Sequence, residues 1–339
     1  MGNNSVTVPN VRINYIKNQI KRYIPSRISC FYKESVADSF LRKNRSLVTN
    51  YNYGEGIRRY FLYDACFMNY CSATKGRIPQ YLAWDRYDYS LENHFYTDDL
   101  IFNKKWKPNK KYAIVMEPES LQPKKFKTLL RDKAFCREFE YIFTSNNELL
   151  MKIPNAKPLI NGGVYIGTPY GGGIISDEQF KYKTKNISIV SSAKNLCALH
   201  RLRLQLANYY ENKEEVDCFG SYNGQQQVKI SDSLMNYRYS IVIENDIQDY
   251  WITEKICNCF ATMTVPIYIG SPQIGKIFNS DGIIAVDKAE INSLDTIIQK
   301  CSKEDYEKRL PAIKDNFSRV RSYYCMEDWL IKEYADILP

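Results

Sequence analysis

The feature that most limits the fold of this chain is an alternation of apolar runs and amphipathic segments between residues 187 and 269. Short runs rich in β-branched residues have the length of buried strands; they are Ile187–Ser191, Val216–Gly220, Ser240–Glu244 and Val265–Ile269. Segments with helical spacing separate them, at Leu196–Tyr210, Leu234–Tyr239 and Ile252–Thr262. Strands and helices that alternate in this way form parallel sheets with crossover helices, so we predict a Rossmann-like domain here.

The preceding part of the chain shows the same pattern more weakly. Residues 112–117 form an apolar run that ends in Glu117, and Pro118 follows, so a strand should end there. A second strand is predicted at Tyr141–Thr144, with a helix starting from Asn146. These elements predict a second α/β unit and a carboxylate at the carboxyl end of one of its strands.

The chain has 339 residues, which is enough for two domains. A glycine-rich stretch, residues 161–173, separates the two patterned regions. It is either a connection between domains or a loop that cradles phosphate, although it lacks the P-loop and dinucleotide-binding patterns. The predicted division is therefore residues 1–165, residues 166–310, and a terminal segment, 311–339.

Composition excludes several classes of protein. Hydrophobic residues make up 44% and charged residues 25%, as in globular proteins. No apolar run reaches the length of about 18 residues that a membrane span needs, and the first residues lack the apolar core of a secretory signal. We therefore expect a cytoplasmic protein or one whose leader was removed. The net charge of +9 favours anionic ligands or peripheral contact with a membrane, and no nucleic-acid module is present.

Metal-binding patterns are lacking in the sequence. The ten cysteines form no CxxC pair, and His94 and His200 are the two histidines, which excludes a site built from several histidines. Asp85 and Asp99 lie in short acidic segments, but we expect neither to hold a metal ion. The cysteines are expected to be buried as small apolar residues.

The segment with the clearest chemistry is residues 237–278. A buried strand delivers Glu244 and Asn245 at its carboxyl end, where ligands bind in open α/β sheets. Thr253 can cap the next helix and place Glu254 and Lys255 in its first turn. A helix N-terminus with a lysine suits a diphosphate, and a carboxylate suits the hydroxyls of a ribose. A capping box with a surface lysine explains the same residues equally well.

The same segment resembles the donor-binding motif of family 10 glycosyltransferases, the α1,3/4-fucosyltransferases. The matching positions follow the order of the motif: Glu244-Asn245, Thr253-Glu254-Lys255, Thr264-Val265-Pro266 and Gly270. The family usually has tyrosine three residues before the motif glutamate; here Trp251 occupies that position and Tyr250 precedes it. The resemblance covers residues 185–287 well and 112–165 weakly.

This resemblance implies an α/β fold of the GT-B type, with two Rossmann-like domains facing each other across a cleft. The second domain would bind GDP-fucose: Lys255 at phosphate, Glu254 at the ribose, and Glu244 and Asn245 at the donor. Either Tyr250 or Trp251 would contact the nucleoside. A helix arginine that grips the phosphates would be Arg201 or Arg203, and residues two apart on a helix point in different directions, so one of them should reach the cleft.

The resemblance also places the chemistry in the first domain, which would bind a glycan acceptor. A glutamate at the end of a strand would deprotonate the acceptor hydroxyl, and Glu117 is the first choice with Glu119 as the alternate. The reaction would be an inverting transfer that needs no cofactor and no divalent metal. The aromatic segment from Trp84 to Tyr96 is either ordinary packing or a surface that stacks on the acceptor sugar.

The last predicted element is the terminal stretch Tyr306–Leu338, which has helical periodicity. In GT-B enzymes such a segment commonly crosses back to the first domain, and we expect this here. Its basic residues are a solvated face or a contact for an anionic membrane; they are Lys308, Arg309, Lys314, Arg319 and Arg321.

Overall fold

The computed structural model describes residues 24–45, 57–65, 79–166, 183–224 and 228–339. Over these residues the chain forms two parallel β-sheets, one from each half of the sequence. The first sheet has six strands in the order β2-β1-β3-β4-β5-β6. Its strands are β1 (Arg58–Tyr63), β2 (Leu82–Asp85), β3 (Asn93–Thr97), β4 (Lys110–Val115), β5 (Tyr141–Thr144) and β6 (Ala156–Pro158).

The second sheet has five strands in the order β11-β10-β9-β7-β8. Its strands are β7 (Lys185–Val190), β8 (Asp217–Phe219), β9 (Tyr237–Ile243), β10 (Val265–Ile269) and β11 (Ile284–Ala285). The chain passes from β7 to β8 on one side and then to β9 on the other. The direction of winding thus changes between β7 and β9, and this is where open α/β sheets bind ligands.

Helices connect and cover the strands. In the first domain they are α1 (Ser26–Lys43), α2 (Pro123–Arg131), α3 (Lys133–Cys136) and α4 (Asn147–Lys152), with a 3₁₀ helix at Asp98–Phe102. In the second they are α5 (Ala198–Tyr210), α6 (Ile230–Leu234), α7 (Glu254–Ala261), α8 (Ile274–Ile277), α9 (Leu294–Lys300), α10 (Lys303–Arg319) and α11 (Met326–Glu333).

Most of the elements expected from the sequence are present, but the helix predicted at Leu234–Tyr239 is wrong. The helix α6 ends at Leu234, and Tyr237 already pairs with Lys185 in the sheet. Tyr237 and Tyr239 are buried, and Arg238 between them is only partly buried. Burial that alternates from one residue to the next is the period of a strand. The aromatic rings at alternate positions pack within the sheet and override the helical spacing of the apolar residues.

The carboxyl ends of the two sheets face each other. The Ser120 hydroxyl, in the loop after β4, donates to the Asn245 carbonyl at 2.9 Å, and its N–H donates to the Asp246 carboxylate at 3.0 Å. Gly162 pairs with Thr253 through an isolated β-bridge and has a left-handed φ of 54°. A Cβ at Gly162 would lie 2.5 Å from the Tyr323 carbonyl oxygen, so this position requires glycine.

The start of the glycine-rich stretch is therefore docked on the second domain. Gly162 donates to the Ile252 carbonyl at 3.0 Å and Gly163 to the Tyr323 carbonyl at 2.8 Å. This part is not a free connection, and Tyr165 within it lines the cavity described below. The rest of the stretch, from residue 167 to residue 173, lies outside the described residues.

The terminal segment packs against the first domain. The Trp84 indole N–H donates to the Glu327 carboxylate at 3.1 Å, and the Tyr334 hydroxyl donates to the Pro158 carbonyl at 2.7 Å. One hydrophobic cluster joins Phe143 of the first sheet, Ile256 of α7 and Leu330 of α11. The two domains thus share a continuous apolar core.

The aromatic segment proposed as an acceptor surface is instead part of the interior. Trp84, His94, Phe95 and Tyr96 have no exposed side-chain surface. They lie on β3 and on the edge strand β2 of a sheet that is covered on both faces. Of the two alternatives, ordinary packing is therefore correct for these four side chains and stacking on a sugar is not, because parallel sheets bury both faces of their strands.

The helices of the described ranges include none that combines the length and apolar character needed to cross a membrane.

The shared core predicts that the terminal helix stabilises the whole molecule. Leu330 on α11 is fully buried, so Leu330→Ala should lower the free energy of unfolding by about 2–5 kcal/mol because it leaves a cavity. Urea unfolding followed by circular dichroism measures this loss. The exposed Glu333, on the same helix, is the control, and Glu333→Ala should change stability by less than about 0.5 kcal/mol. An equal midpoint for both variants would show that α11 is dispensable.

Candidate functional site

A cavity of ≈ 580 Å³ lies at the carboxyl edge of the second sheet, where the winding direction changes. Its walls come from the loop after β7, the start of α5, the end of β9 and the start of α7. The charged and polar side chains on these walls include those of Ser192, Lys194, His200, Arg203, Lys229, Asn245, Glu254 and Lys255. A cavity of this size can hold a nucleotide-sized ligand.

The start of α7 is organised by the buried carboxylate of Glu244. Thr253 is the N-cap residue, and its hydroxyl donates to Glu244 Oε2 at 2.8 Å while its N–H donates to Oε1 at 3.2 Å. The ammonium of Lys255 donates to the same Oε2 at 3.2 Å. Glu244 has no exposed surface and does not line the cavity. It therefore orients the cap residue and the lysine from a position below the cavity wall. The sequence analysis had instead expected Glu244 to contact the donor.

Lys255 and Glu254 both line the cavity, and their charges are paired. The Lys255 ammonium lies 3.3 Å from Glu254 and is 20% exposed. Burial lowers the pKa of Lys255, but the Glu244 and Glu254 carboxylates outweigh this effect and raise it. Burial raises the pKa of Glu254, but the positive charge of Lys255 outweighs burial, and the net effect is a lowered pKa. The helix start therefore presents a fixed cation and a fixed carboxylate side by side.

Asn245 is held by two donors from α5. Its side-chain oxygen accepts from Arg203 Nη2 at 3.0 Å and lies 2.9 Å from His200 Nε2. The other ring nitrogen, Nδ1, accepts from the Leu196 N–H at 3.3 Å, so the proton of the neutral ring is on Nε2. Burial and the neighbouring Arg203 lower the pKa of His200 to about 4, so the ring is neutral at pH 7. The Asn245 amide N–H groups are thereby directed away from these partners.

The structure separates the two candidate arginines. Arg203 lines the cavity and also donates to the Ile243 carbonyl at 3.0 Å. Arg201 is exposed and lines no part of the cavity. Because the two residues are about 200° apart around the helix axis, packing of one face of α5 on the sheet leaves the other in solvent.

The aromatic pair before α7 does not line the cavity. Trp251 is 4% exposed, and its indole nitrogen has no hydrogen-bond partner in the described part of the chain. Tyr250 packs against the shared hydrophobic cluster. Neither ring lines this cavity, and the contact of Tyr250 or Trp251 with a nucleoside stays a prediction.

Two cavity lysines, Lys194 and Lys229, were not singled out by the sequence reasoning. Lys194 lies in the turn after β7, where the Ser192 hydroxyl oxygen accepts its N–H at 3.4 Å. A polar turn between a buried strand and a helix was the available signal, because such turns lie at the carboxyl edge of the sheet. Nothing in the local pattern around Lys229 indicates a site.

Glu117 comes from the first domain. Its N–H and that of Met116 donate to Asp98 Oδ1 at 3.1 and 3.2 Å, and the same oxygen lies 2.6 Å from the Lys125 ammonium. Burial, and next the Asp98 charge, raise the pKa of Glu117, while Lys125, Lys255 and Lys194 partly offset the increase. Lys255 and Lys194 belong to the second domain, so the Glu117 carboxylate senses the cations across the cleft.

Glu119, the alternate candidate, is held within the first domain. It accepts a hydrogen bond from Asn146 Nδ2 at 2.9 Å. Asn146 caps α4, so this carboxylate supports a helix start. Its position favours a structural role over a chemical one.

Within the described ranges, no cluster of three or more His, Cys, Asp or Glu side chains could hold a metal ion. Asp85 pairs with Arg59, and Asp99 accepts from Ser29 at 2.6 Å.

The buried Glu244–Lys255 pair predicts a stability defect that depends on pH. Lys255→Met should cost about 3–5 kcal/mol at pH 8, because it leaves an uncompensated buried carboxylate. Burial already raises the pKa of Glu244, so its protonation relieves the cost, and the defect should shrink as pH falls. Urea unfolding at several pH values measures this. The double variant Lys255→Met/Glu244→Gln removes the charge and should lose the pH dependence; a defect independent of pH would refute the ion pair.

Comparison with known proteins identifies the second domain. Residues 180–311 match the family model described as glycosyltransferase family 10 (fucosyltransferase), C-terminal. This range contains Asn245, Thr253, Glu254 and Lys255, which carried the resemblance in the sequence. No curated protein matches the chain.

The fold is similar to solved glycosyltransferase structures. An α1,3-fucosyltransferase with GDP is 14% identical, with a TM-score of 0.47 over 80% of this chain and 92% of that one. The structure with GDP-fucose is 14% identical, with a TM-score of 0.45 over 81% and 93%. Sucrose-phosphate synthase from Thermosynechococcus elongatus is 10% identical, with a TM-score of 0.50 over 73% of each chain.

These findings agree with two expectations from the sequence, the family resemblance of the second domain and the GT-B fold of two facing α/β domains. The chain is therefore a glycosyltransferase, and its residues 180–311 match the family 10 (fucosyltransferase) C-terminal domain.

Proposed function

We propose that this protein transfers L-fucose from GDP-fucose to a hydroxyl of a glycan acceptor, with inversion at the anomeric carbon. The observation that carries the proposal is the arrangement of charge in the cleft. Lys194, Arg203 and Lys255 line one cavity. Burial raises the pKa of Glu117 on the opposite domain, and the charges of Lys255 and Lys194 partly offset this increase. Such an arrangement suits a diphosphate leaving group on one side and a base on the other.

The donor would lie along the cavity with its diphosphate at the start of α7. The dipole of that helix and the Lys255 ammonium would both favour an anion there. Glu254 would accept hydrogen bonds from the ribose hydroxyls. The apolar wall formed by Ile230, Leu234 and Val242 would contact the nucleobase.

The reaction would be a single displacement. Glu117 takes the proton of the acceptor hydroxyl as its oxygen forms a bond to the anomeric carbon. The bond from that carbon to the diphosphate oxygen breaks on the opposite face, and GDP leaves with the electron pair. Lys194, Arg203 and Lys255 stabilise the charge that develops on the diphosphate, which is why we propose that no divalent metal and no other cofactor is required.

A second candidate keeps the fold and changes the donor. Tyr250 and Trp251 lie outside the cavity, so other residues must select the base. A panel of GDP, UDP and dTDP in a thermal-shift assay separates the candidates, because the proposed donor requires stabilisation by GDP alone. Binding without any turnover of the sugar would indicate a catalytically silent binding protein.

The two arginines of α5 give a matched test of the donor site. Arg203→Met should weaken GDP binding about 10- to 100-fold, since it removes a charge-assisted contact to phosphate. Arg201→Met, on the exposed face of the same helix, should leave the affinity within about twofold. Isothermal titration calorimetry with GDP measures both constants. Equal losses, or a larger loss at Arg201, would place the diphosphate elsewhere.

The two glutamates after β4 give a matched test of the base. Glu117→Gln should lower kcat/KM by about 10²- to 10⁴-fold while GDP affinity stays unchanged. Because the pKa of Glu117 is raised by burial, wild-type activity should increase with pH through a value above the ordinary range of glutamate. Fucose transfer should be measured across pH for both variants. The increase of activity with pH should be absent in Glu117→Gln and present in Glu119→Gln. The reverse result would assign the base to Glu119.

A further inference from the structure

The outward face of α1 carries a group of exposed apolar side chains. Ile28, Phe31 and Tyr32 are 61%, 75% and 62% exposed. Their spacing of three and four residues places them side by side on one face of the helix. Burial of side chains of this size is strongly favourable, so a contiguous exposed group of them marks an interaction surface.

The acidic side chains of α1 already have partners. Glu34 accepts from the Asn103 amide, and Asp38 accepts from the Tyr63 hydroxyl at 2.9 Å and from Lys105 at 3.2 Å. Both carboxylates are therefore used to attach the helix to the first domain. The exposed apolar side chains lie on a helix whose carboxylates are engaged by these contacts.

Exposed cations lie on α1 and on segments next to it in the first domain. Arg42 and Lys43 are exposed in the last turn of α1. The loop that begins at Asn103 contributes exposed Lys104 and Lys107, and α2, which packs on α1, contributes exposed Lys127 and Arg131. None of these six cations forms an ion pair with another described residue. The surface thus combines large apolar side chains with uncompensated positive charge.

We propose that this α1 surface binds the face of an anionic lipid membrane. Aromatic and aliphatic side chains on one face of a helix insert at the level of the headgroups, and surrounding lysines and arginines attract anionic lipids. A protein partner would need to match an apolar centre with a wide acidic rim, whereas an anionic bilayer supplies both features everywhere. The net charge of +9 acts in the same direction.

Vesicle flotation tests the proposal with the full chain. Wild-type protein should bind phosphatidylcholine vesicles with about 30% phosphatidylserine at least about tenfold more than vesicles of phosphatidylcholine alone. Ile28→Ser/Phe31→Ser/Tyr32→Ser should lower binding about tenfold. The control is Met151→Ser/Tyr209→Ser, which changes apolar side chains that are 78% and 50% exposed elsewhere and should keep binding within about twofold.

Charge is tested in the same way. Lys104→Gln/Lys107→Gln/Arg131→Gln should lower binding about tenfold, and Lys276→Gln/Lys288→Gln/Lys308→Gln, exposed on the second domain, should lower it less than about threefold. Circular dichroism and the Tm, which should be unchanged, show that the variants are folded. Absence of wild-type binding, or equal losses in the control sets, would overturn the proposal. Sedimentation velocity that shows a wild-type dimer lost in the α1 triple variant, with vesicle binding retained, would instead assign the surface to self-association.

Discussion

The interaction on which the site depends is the buried carboxylate of Glu244. It accepts hydrogen bonds from the N–H and hydroxyl of Thr253 and from the Lys255 ammonium, and so joins the end of β9 to the start of α7. A buried carboxylate is costly unless it is paired and hydrogen-bonded. Because these donors satisfy the Glu244 carboxylate, they fix the positions of Thr253, Lys255 and the N-terminus of α7. A fixed arrangement of these groups is what anion binding at this point would require.

Contacts between the two domains fix the start of α7 relative to the first domain on the other side of the cleft. Gly162 and Gly163 donate to Ile252 and Tyr323, and Ser120 contacts the loop after β9. The terminal helix α11 adds an apolar contact with the first sheet. Glu117 is therefore held at a defined position relative to Lys255 and Lys194, and its raised pKa results from this burial. A carboxylate that is far from these two cations in sequence can be positioned relative to them because the core is shared.

Several features could be predicted from the sequence. The strands β5 and β10, the cap at Thr253 and the position of Glu117 after β4 follow from periodicity, capping preferences and a proline. The family motif around Asn245 and Lys255 indicated the kind of ligand. The family model that matches residues 180–311 agrees with the family that this motif indicated. These features depend on residues that are close together in the chain.

The sequence by itself determined the alternation of elements and which strand ends carry polar groups, since both are local properties of the chain. Only the tertiary structure decided where the side chains point. It placed Arg203 in the cavity and Arg201 in solvent, Glu244 behind the cavity, Tyr250 and Trp251 outside it, and Trp84 and Tyr96 in the core. The physical reason is that the direction of a side chain relative to a cleft depends on which face of its element packs on distant segments, and local spacing does not record that choice.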